Sequence, residues 1–175
     1  AAVILPDGCI IEGVNDSKKL TEKKREQLFD VIKDTAVAYS IATADEKEID
    51  EINILQATKK AFAEAYRNAL AHCPGDYVCS DVFVDAVKDL DIPAVQHSLI
   101  HGDALCYSIA AASIVAKVER DRYMIAAAEK FPQYGFEKNV GYGTKQHMDA
   151  LREFGPCELH RRSFIKKILA ERGEC

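Results

Sequence analysis

Two aspartates, each at the end of an apolar run, constrain the fold of this chain more than any other feature. Asp85 closes the run 82–85, and Asp103 follows Gly102 at the end of the run 98–103. An Ala-rich segment, Ile109–Arg122, comes next and has the composition of a helix packed closely on a sheet. Neighbouring strands that end in carboxylates suit a hard cation such as Mg²⁺. The pair therefore predicts half of a two-metal, phosphodiester-cleaving centre.

Both aspartates also have an ordinary interpretation, in which they cap the segments that follow them. The clean apolar strand before Asp85 and the glycine before Asp103 favour the metal-site interpretation. Asp121 is a third candidate, but it lies between Arg120 and Arg122. Pairing with one of those arginines is favoured for it over metal binding.

Composition indicates a globular protein with a core. The chain has 175 residues, 48% hydrophobic and 29% charged, which fits one domain. No apolar run approaches the roughly 18–20 residues that span a bilayer, and no secretory signal pattern is visible. The chain lacks an initiator Met and starts inside an apolar run, Ala1–Pro6. We therefore expect it to be a piece of something longer.

Cysteine usage and charge narrow the class of protein further. None of the six cysteines forms a Cys-x-x-Cys pair, so reduced thiols and a cytoplasmic location are predicted. The net charge of −5 gives no indication of nucleic-acid binding. Basic residues nevertheless cluster locally, as at Lys18–Lys19 and Arg161–Arg162. Such clusters are usually solvated faces and form a phosphate-binding groove only if the fold gathers them on one side.

Hydrophobic periodicity predicts a three-layer α/β domain with a mixed sheet. A Pro-Asp-Gly turn should join the first two strands, and Thr21 should cap the first helix. The predicted elements, in chain order, are strands at 1–5 and 9–12, a helix from Thr21, a strand at 37–41, a helical turn at 46–52, a helix at 54–69, strands at 77–85 and 95–101, a helix after Asp103, a loop at 132–143, and helices at 144–154 and 163–172.

Three further segments carry groups that suit nucleic acid. Asn15–Leu20 offers an amide, a hydroxyl and two ammonium groups to a phosphate backbone, although a surface turn is as good an interpretation. Tyr142 lies between two glycines, which leaves its ring free to stack on a sugar or base; the alternative is a tyrosine packed at the domain edge. Arg161 and Arg162 could clamp phosphates or form salt bridges with the sheet.

Taken together, these segments resemble a bacterial ribonuclease HII. Each match is weak alone, but all follow the order of that family and cover essentially the whole chain. The nine matching segments are Ala1–Pro6 (AAVILP), Asn15–Leu20 (NDSKKL), Glu48–Thr58 (EIDEINILQAT), Val84–Val87 (VDAV), Gly102–Ala104 (GDA), Ile109–Asp121 (IAAASIVAKVERD), Tyr134–Phe136 (YGF), Gly141–Thr144 (GYGT) and His160–Phe164 (HRRSF).

The resemblance implies a ribonuclease H-like fold in which residues 1–175 form a single domain and 144–175 are a helical C-terminal extension. It implies cleavage of RNA in RNA–DNA hybrids and incision 5′ to ribonucleotides embedded in duplex DNA. Two ions, Mg²⁺ or Mn²⁺, would be held by four carboxylates, two of which match Asp85 and Asp103. Asp81 is a weaker match than Asp85, because 18 positions separate Asp85 from Asp103 as in the family pattern.

The chain departs from the family pattern at its start. It begins after the Asp-Glu and Gly-Arg-Gly segments that the resemblance implies, so two of the four carboxylates and the loop that reads the 2′-hydroxyl are expected to be missing. A hybrid-binding protein that does not cut is therefore the alternative to a nuclease. Another nuclease or recombinase of the same superfold fits the ordered motifs less well.

The remaining roles are also implied by the resemblance. Tyr142 matches the tyrosine that stacks on the sugar at the ribo–deoxyribo junction. Nucleic-acid contacts are expected from six further residues, and the protein is expected to act as a monomer without a membrane. Those six residues are Asn15, Ser17, Lys18, Lys117, Arg120 and Arg162.

Overall fold

The structure, a computed structural model, describes residues 1–75 and 77–173. Helices dominate these residues, and the strands are short. The elements are β1 (Ala2–Ile4), α1 (Glu22–Thr35), β2 (Ala38–Ser40), α2 (Glu46–Ala71), β3 (Asp81–Asp85), β4 (Val95–Leu99), α3 (Gly102–Leu105), α4 (Tyr107–Lys130), α5 (Phe136–Asn139), α6 (Lys145–Phe154) and α7 (Lys166–Arg172), with 3₁₀ turns at Pro132–Tyr134 and Arg162–Phe164.

The strands of the described residues form two separate two-stranded sheets rather than one mixed sheet. β1 pairs antiparallel with β2, and β3 pairs parallel with β4. The predicted strand at 9–12 is wrong, because these residues form no strand. The amide and carbonyl of Ile11 bond instead to the Tyr107 hydroxyl. A side chain thus replaces the partner strand that an isolated extended segment would need.

Helix boundaries follow local capping chemistry. The Thr21 hydroxyl accepts a hydrogen bond from the amide of Lys24, so the predicted cap of α1 is confirmed. The predicted break between the turn at 46–52 and the following helix appears as a kink within α2, where Asn53 has φ 69° and ψ 162°. The Asn53 side chain accepts from the amides of Leu55 and Gln56, which restarts the helix.

The chain folds as two compact units, each with its own core. The first comprises Ala1–Thr43 and Thr58–Val118, and the second comprises Ala44–Ala57 and the residues from Glu119 onward. The core of the first unit is centred on buried side chains of α1 and α4: Leu28, Phe29, Ile32, Ala111, Ile114, Val115 and Val118. The core of the second consists of Met124, Tyr134, Phe136, Ala150, Leu151 and Ile168.

The structure also bears on membrane-spanning segments and on the state of the cysteines. None of their helices combines the length and apolar character needed to cross a membrane. Their five cysteines are all free thiols; Cys175 lies outside the described residues. The segment predicted as a helical C-terminal extension, from residue 144 onward, lies within the second unit. That it extends a single domain stays a prediction.

Candidate functional site

In the first unit, Asp85 lies at the end of a strand and Asp103 lies in the short helix α3. β3 ends at Asp85, which is in register with Leu99 at the end of β4. His101, with φ 57°, then turns the chain into α3. The amide of Gly102 donates to Oδ1 of Asp85 at 2.9 Å, and Asp103 is the next residue. Asp103 is 9% exposed, so a nearly buried aspartate directly follows the residue that bonds to the Asp85 carboxylate.

Gly102 makes this close approach possible. A Cβ at this position would lie 2.5 Å from Cδ1 of Ile109, 3.3 Å from Oδ1 of Asp85 and 3.4 Å from Cα of Asp85. The first distance is shorter than any normal contact, so Cδ1 of Ile109 would have to move, and Asp85 would have to shift by a few tenths of an ångström. Glycine is therefore favoured here by close packing and not by its backbone angles.

Lys18 reaches the same place from the loop before α1. Its Nζ lies 3.8 Å from Oδ2 of Asp103, with the lysine side chain 80% exposed and the aspartate side chain 10% exposed. A long, solvated ammonium can move away at little cost, whereas the aspartate is held by burial. Lys18 thus sits where a phosphate beside the carboxylates would meet a positive charge.

Asp81 occupies the opposite end of the same strand. β3 has five residues, so Asp81 and Asp85 lie about 13 Å apart along it. The Asp81 carboxylate accepts from Nε2 of His97 and from Oγ of Ser80, each at 2.7 Å. These hydrogen bonds lower the pKa of Asp81, and the one from His97 has the larger effect. The pairing with His97 and the distance favour Asp85 as the partner of Asp103.

The donor set of this site suits a hard divalent cation, although it supplies only part of a coordination shell. Mg²⁺ takes about six oxygen ligands, of which proteins often provide one or two carboxylates. Asp85 and Asp103 provide that number. Across residues 1–75 and 77–173, no group of three or more His, Cys, Asp or Glu side chains is arranged to hold a metal. Further ligands would have to be water or substrate oxygens.

The other residues of the first unit that were predicted to bind nucleic acid differ in their exposure to solvent. Asn15 is exposed, with its side chain accepting from the amide of Asp16. Ser17 is buried, and its carbonyl accepts from the guanidinium of Arg25, which leaves its hydroxyl little access to a ligand. Lys117 lies half-buried on α4. Their roles in nucleic-acid binding stay predictions.

Tyr142 projects from a tightly bonded loop in the second unit. Its side chain is 63% exposed. Its amide donates to the carbonyl of Asn139 at 2.7 Å, and its carbonyl accepts from the Thr144 amide at 2.8 Å and from Nδ1 of His147 at 2.9 Å. Gly141, with φ 84°, allows the turn before it. An exposed ring on a fixed backbone suits stacking.

Arg120 lies against this loop. One of its terminal nitrogens is 3.2 Å from the position that a Cβ of Gly141 would take. The pKa of Arg120 is lowered, mainly by desolvation and secondly by repulsion from the guanidinium of Arg161. The guanidinium of Arg161 in turn stacks over the ring of Phe164, 3.9 Å from its centroid. Two guanidiniums and exposed rings thus share one region of the second unit, a combination that suits nucleic acid.

Asp50 holds the turn that carries Arg162, and sequence reasoning missed it. Its carboxylate accepts from the amide of Arg162 at 2.7 Å, and from the amide of Ser163 at 3.0 Å and its hydroxyl. Partial desolvation raises the pKa of Asp50, but these hydrogen bonds outweigh it and the pKa lies below its usual value. The only sequence signal was the position of Asp50 inside the matching segment Glu48–Thr58.

His147 and His160 form a second feature that the sequence did not reveal. They are 4% and 9% exposed, and their Nε2 atoms are 3.0 Å apart. Burial, followed by the proximity of His147, lowers the pKa of His160 to about 4. The two histidines are 13 positions apart, and no spacing pattern in the sequence links them, so only the tertiary structure pairs them.

Comparison with known proteins settles the family. Residues 3–167 match the family model of ribonuclease HII. The chain belongs to the ribonuclease HII family. It is 51% identical over 169 residues to a protein named ribonuclease HII from Acetivibrio thermocellus, covering 97% of this chain and 64% of that protein. It is 48% identical to a ribonuclease HII from Alkaliphilus oremlandii, covering 97% of this chain and 83% of that protein.

A solved structure confirms the predicted fold class. The crystal structure of the ribonuclease H2 from Pyrococcus horikoshii OT3 matches 93% of this chain and 83% of its own, with a TM-score of 0.73 and 24% sequence identity. The ribonuclease H-like α/β fold is therefore shared. The chain spans about two thirds of the length of some ribonuclease HII relatives, 64% for Acetivibrio thermocellus and for Ruminiclostridium cellulolyticum.

Replacing Gly102 should disturb the carboxylate pair through steric contact. We expect Gly102→Ala to lower the free energy of unfolding by about 1–3 kcal/mol, because the new Cβ overpacks the site. Ile109→Val removes the Cδ1 atom that the Cβ would strike, so the double variant should regain part of the loss. Urea unfolding of the wild type, both single variants and the double variant measures this coupling. Strictly additive losses would contradict the steric explanation.

The buried histidine pair should make stability depend on pH. The pKa of His160 is about 4 in the folded chain, against 6.5 for the free side chain. Between these values the unfolded chain binds a proton that the folded chain does not, so stability falls as pH falls through this window. We expect a loss on the order of 1–2 kcal/mol, allowing for partial solvent screening.

Urea unfolding at several pH values between 4 and 7.5 checks this expectation. His160→Gln should flatten the pH dependence in that window, since Gln does not titrate. His72→Gln, which removes an exposed imidazole, is the matched control and should leave the dependence unchanged. Equal slopes in the wild type and His160→Gln would show that His160 is not the responsible group.

Proposed function

We propose that this chain provides the catalytic centre of a metal-dependent endonuclease that cleaves RNA in RNA–DNA hybrids and incises 5′ to ribonucleotides embedded in duplex DNA. The observation that carries the proposal is the pair Asp85 and Asp103, joined through Gly102, in a chain that belongs to the ribonuclease HII family. A cytoplasmic location and a monomeric state belong to the same proposal. They rest on the cysteine pattern and the family resemblance.

In this proposal Asp85 and Asp103 would hold Mg²⁺ or Mn²⁺. The bound metal would supply activation of a water and charge stabilisation of the leaving 3′-oxygen in a displacement at phosphorus. The protein's contribution is to hold both carboxylates in place. The amide of Gly102 orients Asp85, and burial holds Asp103 in one position.

Lys18 has two roles in this proposal, which are to compensate the charge of Asp103 and to contact a substrate phosphate. Its ammonium, 3.8 Å from Asp103, offsets the negative charge of the carboxylate. It is also able to turn toward a phosphate, because the side chain is largely exposed. A mobile cation beside fixed carboxylates lowers the repulsion that an anionic substrate would otherwise meet.

Substrate recognition is assigned to the remaining predicted residues. Arg120, Arg162 and Lys117 would contact phosphates, as would Asn15 and, through its limited exposed surface, Ser17. The ring of Tyr142 would stack on the sugar at the ribo–deoxyribo junction. Its exposure and its fixed backbone support this role.

A second candidate is a protein that binds hybrid nucleic acid without cutting it. The observation that favours it is the number of carboxylates: the site brings two together, whereas the family resemblance implies four. The basic and aromatic groups of the second unit do not depend on that number. A nicking assay with Mg²⁺ or Mn²⁺, on a labelled duplex with one ribonucleotide, separates the two candidates. A nick supports the nuclease, and binding without a nick supports the second candidate.

Asp85→Asn tests the metal-ligand assignment. We expect nicking to fall by well over about 100-fold, because loss of a ligand should exceed the 10–100-fold typical of changes in the groups that orient the ligands. Binding of hybrid, measured by fluorescence anisotropy without divalent metal, should persist. Asp81→Asn is the control on the same strand and should keep wild-type nicking. Wild-type rates in Asp85→Asn, or equal losses in both variants, would refute the assignment.

Tyr142→Ala tests junction recognition. Stacking on an aromatic ring contributes about 1–3 kcal/mol per base, so affinity for a duplex with one ribonucleotide should fall roughly 5- to 150-fold. Affinity for a continuous hybrid should fall much less. Tyr142→Phe keeps the ring and should retain the preference. Equal losses on both duplexes would contradict the role in junction recognition.

A further inference from the structure

A continuous set of hydrogen bonds links the buried histidines to the backbone of Tyr142. The Nδ1 atom of His147 lies 2.9 Å from the Tyr142 carbonyl, and its Nε2 lies 3.0 Å from Nε2 of His160. The Nδ1 atom of His160 lies 3.0 Å from the amide nitrogen of Cys157. Four groups within residues 142–160 are thus bonded in series.

The partners determine where the protons lie. A carbonyl can only accept, so Nδ1 of His147 carries the proton in its bond to Tyr142. In neutral His147, Nε2 is then an acceptor, and Nε2 of His160 must donate to it. The Nδ1 atom of His160 is left with a lone pair, which accepts from the Cys157 amide. Every donor in the series meets an acceptor when both rings are neutral.

The surroundings favour this neutral arrangement. The ring of His160 packs against Tyr134, with centroids 4.8 Å apart, and the ring of His147 packs edge-on against Phe136 at 5.4 Å. Of the titratable groups in contact with His160, burial raises the pKa of the Tyr134 phenol and of the Cys157 thiol. Both therefore stay uncharged near neutral pH and leave the imidazole protons where the hydrogen bonds require them.

The bond from His147 matters because of where it ends. The carbonyl of Tyr142 also accepts from the amide of Thr144, two residues on, within a tight local turn that provides little constraint by itself. His147 is held by a helix, α6, and by a buried partner. Its bond thus ties the exposed loop to the core of the second unit.

We infer that His147, oriented by His160, is a positioning residue for junction recognition: it fixes the Tyr142 carbonyl and so holds the Tyr142 ring ready to stack on the sugar. This inference rests on the proposed function for the role of Tyr142. The relay itself rests only on the contacts within the second unit. The two parts can therefore be tested separately.

The relay is tested first, without nucleic acid. Nitrogen-15 histidine NMR of the chain near pH 7.5 should show His147 with its proton on Nδ1 and His160 with its proton on Nε2. Amide hydrogen exchange at Tyr142 should quicken in His147→Phe and stay near wild type in His147→Asn. Observation of His147 with its proton on Nε2 would overturn the relay, as would unchanged exchange in His147→Phe.

The choice of variants distinguishes hydrogen bonding from packing. The side-chain amide of Asn reproduces the Nδ1–H donor of His147 but leaves space unfilled. Phe fills the space and removes the donor. If His147 served only to pack the core, Phe would be tolerated better than Asn. If it positions Tyr142, the order is reversed.

The functional part is tested by anisotropy, without divalent metal, on a duplex with one ribonucleotide and on a continuous hybrid. We expect the ratio of the two affinities to fall about three- to tenfold in His147→Phe, as for loss of one buried hydrogen bond, and to stay within about twofold in His147→Asn. Thermal unfolding of each variant verifies folding. A greater loss in Asn than in Phe, or no loss in Phe, would overturn the positioning role.

Failure of the proposed function would give a different pattern. A wild-type chain without any preference between the two duplexes would refute junction reading by Tyr142, and with it the substrate part of the inference. The proton positions and the exchange rate at Tyr142 would still decide whether His147 fixes the loop.

Discussion

The hydrogen bond from the Gly102 amide to the Asp85 carboxylate is the constraint around which the predicted catalytic centre is built. It joins the end of one parallel strand to the turn that follows the next. Because Asp103 is adjacent to Gly102, the same bond brings the backbone of Asp103 close to the end of β3. The bond also favours a residue without a Cβ, since Ile109 and Asp85 occupy the space around Gly102.

In the second unit, hydrogen bonds to the backbone hold a loop that carries an exposed aromatic ring, that of Tyr142. Loops are usually mobile because their backbone groups bond to water. Here both backbone groups of Tyr142 have protein partners, and one of those partners is a buried histidine. Asn139 adds to the support, since its side chain donates to the Tyr134 carbonyl and accepts from the Gly141 amide. The loop is thus bonded to the protein on both sides of the ring that it presents.

Much of the secondary structure could be predicted because its causes are local. Thr21 and Thr144 cap the helices that follow them, and the apolar runs before Asp85 and Asp103 led to the predicted β3 and β4. The strand at 9–12 failed because its alternation resembles a strand, while its actual partner is the hydroxyl of Tyr107, about a hundred residues away. A single sequence carries no signal for such a contact. Division of the strands into two small sheets has the same origin, since pairing depends on non-local partners.

The sequence by itself pointed to the family and the fold class, because ordered motifs are properties of the linear chain, and the spacing of 18 positions predicted Asp85 as the partner of Asp103. Tertiary structure decided that Asp85 bonds to the amide of Gly102, whereas Asp81 lies at the opposite end of β3 and bonds to His97. It also decided that Ser17 is buried, that Asp50 holds the Arg162 turn and that His147 pairs with His160. These relations depend on distances between residues far apart in sequence, and only folding sets those distances.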